Sequence, residues 1–149
     1  MRELNVDFLE QYKQLDKLCK DMYSSGEGVS SYIKDMESAS CSEKQCVYNW
    51  DAIYKQLKHI RWLRNQLAHE IDINTDFCDQ NDIDWVKQFY KSIFNGNDPL
   101  AIARQSKQQV GTRTTKLDST IVKSNNAVKE KPRKSLWSRF ASKIKNLFS

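Results

Sequence analysis

Four glycines and two prolines in 149 residues leave this chain short of the residues that make tight turns. That scarcity argues against a sheet-rich fold, which needs a turn between successive strands. No run approaches the length of apolar sequence that spans a bilayer, and the start, Met1-Arg2-Glu3-Leu4-Asn5, lacks the apolar core of a signal peptide. The chain therefore reads as cytoplasmic, at most peripheral to the inner face of a membrane. Its four cysteines, Cys19, Cys41, Cys46 and Cys78, form no CxxC pair and meet no Cys/His cluster. Reduced thiols are expected, and neither a metal nor a cofactor. No Gly-rich phosphate loop, metal-binding carboxylate motif or internal repeat is visible.

Charge is unevenly spread. Residues 1–99 hold 12 Lys plus Arg against 17 Asp plus Glu, a net of −5, whereas residues 100–149 hold 12 against 2, a net of +10. The acidic part carries the apolar periodicity. Leu4, Phe8, Tyr12, Leu15, Cys19 and Met22 lie on one face of a first helix that stops at Ser24-Ser25-Gly26. A short second helix is expected from Val29 to about Glu37, with Tyr32, Ile33 and Met36 inward, followed by a polar loop from Ser38 to Gln45. Asn49 caps a third helix running to His69 or Glu70, with Trp50, Ile53, Leu57, Ile60 and Leu67 at three-and-four spacing. Residues 71–76 read as an extended connector. Asn81 caps a fourth helix, with Ile83, Val86, Phe89, Tyr90 and Ile93 inward, and Asn95-Gly96-Asn97-Asp98-Pro99 ends it. The fold class is all-α: an up-and-down bundle of about four helices over residues 1–98.

From 99 to 132 the chain loses its core-forming residues and reads as a disordered basic linker, with at most a brief helical turn over Pro99–Ala103. Residues 133–149 read as a basic amphipathic helix. Leu136, Trp137, Phe140, Ile144, Leu147 and Phe148 form its stripe, edged by Arg139 and Lys143. It is too short and too charged to span a bilayer. An anionic membrane surface, a groove on a partner, nucleic acid, or the acidic bundle itself are each suitable targets.

One member of the third helix breaks its pattern. After Ile60 an apolar residue is expected at 64, and the chain has Arg64, whose burial without an anion or water costs several kcal/mol. Five residues later comes His69, one of two histidines in the chain and suited to proton transfer near neutral pH. The segment Arg64-Asn65-Gln66-Leu67-Ala68-His69 resembles the arginine, four residues, histidine motif of the HEPN family, as do Asn65 after the arginine and the Leu-Ala-His-Glu ending. The resemblance covers residues 1–98. It implies a small helical bundle that dimerises, and a metal-independent endoribonuclease in which arginine and histidine from both subunits share one cleft. RNA is then attacked by its own 2′-hydroxyl. A toxin, defence or stress effector with a partner antitoxin fits that family. Some HEPN toxins carry a tyrosine two residues after the histidine; here that position is Ile71, so modification of a tyrosine at that site is not expected.

Such chemistry needs a base for the 2′-hydroxyl proton, a cation for the phosphate and a proton for the leaving oxygen. Arg64, with planar bidentate donors, is assigned to the phosphate and His69 to proton transfer. Asn65 and Glu70 are supporting residues that orient phosphate or imidazole. Lys58 and Arg61 either add positive field beside the cleft or lie on a solvated face, and Trp50, Trp62 and Trp85 read as packing residues. On a regular helix residues 64 and 69 stand about 140° apart and about 7.5 Å along the axis. Either the last turn loosens or a second copy completes the site. The competing account treats Arg64 as an ion-pair partner and His69 as a helix-dipole residue. The chain is then a non-catalytic dimeric adaptor, anchored to a membrane or partner by its C-terminal helix.

Overall fold

The computed structural model describes residues 3–69 and 75–114. Six helices follow one another there: α1 (Glu3–Tyr23), α2 (Val29–Ser38), α3 (Cys41–Gln45), α4 (Trp50–His69), α5 (Gln80–Phe94) and α6 (Pro99–Thr114). Among the described residues there is no strand, and the fold is an all-α bundle. None of these helices is long and apolar enough to cross a membrane.

The apolar stripes explain the packing. α1 is the central element, lying against α5, α2 and α4, and it buries Phe8, Tyr12, Leu15, Leu18 and Cys19. α2 contributes Val29, Tyr32, Ile33 and Met36, and α5 contributes Ile83, Val86, Phe89 and Ile93. Each large apolar side chain so enclosed contributes about 1.5–3 kcal/mol relative to exposure. The ring of Phe89 meets Tyr32 edge-on at 5.3 Å and stacks on Trp85, one turn earlier in α5, at 4.8 Å, joining α2 to α5. One buried polar residue ties down the chain that enters α5. Asn5 donates from Nδ2 to the Thr75 carbonyl at 3.1 Å and accepts from the Phe77 amide at 3.2 Å.

Four expectations are corrected. First, the polar stretch before α4 is no mere loop, because Cys41–Gln45 form α3. Ser40 accepts from the Glu43 amide and Glu43 accepts from the Ser40 amide, a capping box that starts a helix without apolar periodicity. Second, α5 is capped by Asp79 rather than Asn81, with Asp82 returning the bond to the Asp79 amide.

Third, the segment from 99 does not begin as a disordered linker. α6 runs from Pro99 to Thr114, and Leu100, Ala101 and Ala103 are buried. Asp98 caps it, accepting from the Ala101 amide at 3.4 Å, and Pro99 occupies the first position, where no amide hydrogen is needed. Arg104 pairs with Asp35 at 2.9 Å and Lys107 with Glu43 at 2.7 Å. Lys107, together with Ser40, holds the Glu43 carboxyl down at about 2. Fourth, Trp62 is not a packing residue; it is 51% exposed. The later part of the expected linker and the whole 133–149 segment, with Leu136, Trp137, Arg139, Phe140, Lys143, Ile144, Leu147 and Phe148, lie outside the described residues.

Candidate functional site

α4 meets the core through Leu57, Ile60, Leu63 and Leu67. That series takes Leu63 inward and leaves Arg64 exposed, so the inward arginine expected from the pattern is an arginine at the edge of the stripe. The edge faces a polar cleft of about 320 Å³ between α1, the α1–α2 turn and α4. Arg61, Arg64 and Asn65 line it from α4, Tyr12, Asp16 and Lys20 from α1, and Gly26, Glu27 and Ser30 from the turn and the start of α2.

The wall of this cleft depends on one glycine. Gly28 has φ +56°, and a Cβ there would stand 2.0 Å from Asp16 Oδ1. Without that Cβ, Asp16 reaches across and accepts from the Val29 amide at 3.0 Å, capping α2 from another helix. Its other oxygen pairs with Lys20 at 2.7 Å. Glu27 pairs with Lys34 at 2.6 Å. Both cleft carboxylates are thus already engaged by cations.

Among the described residues, the two arginines are paired with no carboxylate. Arg61 donates to Ser30 Oγ at 3.5 Å and Arg64 to Asn65 Oδ1 at 3.3 Å, both neutral acceptors at long range. The salt bridges of the described residues involve Lys20, Lys34, His59, Lys87, Arg104 and Lys107 instead. A guanidinium with five donors and one weak neutral acceptor retains most of its capacity for an anion. At the inner side of the cleft, burial foremost and the Asp16 charge next push the Tyr12 hydroxyl well above its ordinary range, with Arg64 and Arg61 opposing. Tyr12 is therefore a neutral phenol.

Arg64 and Asn65 are brought together in this cleft; His69 is not among its lining residues. His69 is the last residue of α4, exposed, and Glu70 lies outside the described residues. Because α4 stays α-helical through His69, the angular separation of about 140° between positions 64 and 69 stands. His69 instead shares a solvent-facing stripe with Lys58, Trp62 and Asn65, all exposed and spaced four, three and four apart. The residues that sequence reasoning undervalued are Arg61 and Ser30. The available signal for Arg61 was its three-residue spacing from Arg64, which puts both on one side of α4.

The described residues contain no group of three His, Cys, Asp or Glu placed to hold a metal. Two cysteines are poorly suited to nucleophilic chemistry. Burial first, then nearby carboxylates, push the Cys19 thiol up to about 12 and the Cys78 thiol up to about 11.

An all-helical bundle with a polar, arginine-bearing cleft is the class that fold and site define. The chain belongs to a family of unknown function, DUF6548, whose match spans residues 6–146 and so takes in most of both the bundle and the basic C-terminal segment. No curated protein and no solved structure matches the chain.

Proposed function

We propose that this protein is a dimeric, metal-independent endoribonuclease of HEPN type, with Arg64 binding the scissile phosphate and His69 moving the proton. The observation that carries the reading is the state of Arg64. It lines a cleft whose carboxylates are held by lysines, and its own partner is a neutral amide oxygen. An RNA phosphate would supply the anion that Arg64 does not find among the described residues.

The regular helix through His69 favours completion of the site by a second copy. Two antiparallel copies of α4 related by a two-fold axis midway between residues 64 and 69 set each Arg64 beside His69 of the other copy. The exposed stripe of Lys58, Trp62, Asn65 and His69 borders that seam on the His69 side, and the half-exposed Trp62 is an apolar contact at its edge. Asn65 and Glu70 then serve as supporting residues. The basic segment 133–149, all but its last three residues inside the span of the family match, draws RNA or an anionic membrane toward the bundle.

The test is incubation of the purified chain with total cellular RNA in EDTA. Cleavage leaving 2′,3′-cyclic phosphate ends, lost in Arg64→Ala and in His69→Ala, is the expected result. Intact RNA from a folded dimer would transfer the assignment to the non-catalytic adaptor. In that reading the bundle is a scaffold and Trp137 and Phe140 matter most.

A further inference from the structure

We propose that Arg61 and Ser30 extend the Arg64 site into a second phosphate subsite within one chain, which holds the RNA phosphate next to the one cleaved. The inference rests on the RNA reading of Arg64 but concerns residues outside its arginine–histidine motif. Three observations carry it.

Arg61 opens on the same cleft as Arg64, and residues three apart on a helix have their Cβ atoms about 5–6 Å from each other. Both side chains therefore leave α4 on one side and open on one cleft, where two guanidiniums can take neighbouring anionic groups. Arg61 is half-buried, so its stem is fixed by packing, while its hydrogen bond to Ser30 Oγ at 3.5 Å is at the limit of such contacts. A phosphate oxygen can replace that contact and accept from the Ser30 hydroxyl as well.

The local charge also points to an anion. Three cations and two carboxylates line the cleft, in a part of the chain, residues 1–99, whose net charge is −5. The cleft is a positive spot on an acidic body. The carboxylates that would repel a phosphate, Asp16 and Glu27, are already neutralised by Lys20 and Lys34. A cleft of about 320 Å³ accommodates a phosphate with its attached sugar, and a single isolated ion would leave most of it to water.

The test uses the full chain and a short fluorescein-labelled 2′-O-methyl oligoribonucleotide, which has no free 2′-hydroxyl to attack with. Binding is followed by fluorescence anisotropy over a series of sodium chloride concentrations, for the parent, Arg61→Gln, Arg61→Lys and Arg64→Gln. Each phosphate contact on single-stranded nucleic acid contributes about 0.7 to the slope of log affinity against log salt. Arg61→Gln and Arg64→Gln should each flatten the slope by about that amount, and Arg61→Lys, which keeps the charge, should restore it. The contribution of the basic C-terminal segment is common to all variants and cancels. A slope unchanged by Arg61→Gln but flattened by Arg64→Gln overturns the second subsite and leaves the Arg64 assignment standing. Unchanged slopes in both overturn the cleft as a phosphate site. A flattened slope in Arg61→Gln, together with RNA cleavage that persists in His69→Ala, keeps the subsite and removes the proposed catalytic role.

Discussion

Two polar clusters meet on α2, and they are built on opposite plans. Tyr32 turns inward and donates to Asp98 Oδ2 at 2.6 Å, in a setting where Tyr32 and Asp98 are 0% and 1% exposed. Asp98 also caps α6, the Leu100 amide donates to the Tyr32 hydroxyl at 3.4 Å, and only Asp98 Oδ1 is left without a partner. Burial pushes the Asp98 carboxyl up from its ordinary range, with the Tyr32 bond and the α6 amide opposing. Ser30, two residues earlier, turns to the cleft where Arg61 and Arg64 have long, neutral acceptors. The buried cluster holds α6 to the bundle, since almost every polar group there answers another. The open cluster contributes little to the fold, and its unused donors are what a ligand would engage.

Substitutions can break this division, and the largest effect is expected at Arg64 of the open cluster and at His69, its proposed counterpart. Arg64→Ala and His69→Ala should each lower RNA cleavage at least about 100-fold. Their unfolding free energies, read by urea denaturation, should stay within about 0.5 kcal/mol of the parent, as for other exposed sites. In the buried cluster, Asp98→Ala removes a helix cap and strands the Tyr32 hydroxyl, for a loss of about 2–3 kcal/mol in the same assay. Asp98→Asn keeps both acceptor roles and should cost less than about 1 kcal/mol.

The Asp98 pair also makes a pH prediction. A carboxyl whose pKa is raised on folding binds its proton more tightly in the folded chain, so it lowers stability as pH rises from the unfolded value, near 3.8, through the folded one. Asp98→Asn lacks that titration and should gain stability relative to the parent between acid and neutral pH. A difference that stayed flat with pH would mean that Asp98 is not held in its raised state. The smallest effect belongs to Trp62. Trp62→Ala should change the stability of the bundle by no more than about 0.5 kcal/mol, while weakening self-association in sedimentation measurements.

The helices with strong apolar periodicity were legible from sequence. Phe8-Tyr12-Leu15-Cys19 in α1 and Ile83-Val86-Phe89-Ile93 in α5 are buried as their spacing implies. The elements that were not legible are those whose signal lies in caps. α3 depends on Ser40 and Glu43, and α6 on Asp98 followed by Pro99; the first has no apolar periodicity and the second gathers most of its apolar residues in the opening run Leu100 to Ala103. Arg64 shows a second limit. After Leu57 and Ile60 the helix can continue its stripe through 63 or 64, and both steps suit a helical face. The position of the α1 and α2 surfaces, a tertiary fact, selects Leu63. For the site, the pairing of Arg64 with Asn65 followed from their adjacency. The cleft itself did not, because Asp16, Ser30 and Arg61 come from three helices and converge only through the turn at Gly28.

The central claim is that Arg64 and His69 act on one phosphate from different copies of the chain. Subunit mixing tests it most directly, with Arg64→Ala and His69→Ala proteins each inactive alone, then unfolded and refolded together in equal amounts. A site built across the two-fold axis leaves each mixed dimer with one intact Arg64–His69 pair, so about a quarter of the parent's RNA cleavage should return. If the mixture forms mixed dimers and stays inactive, the two residues do not complete one another across subunits, and the account is contradicted.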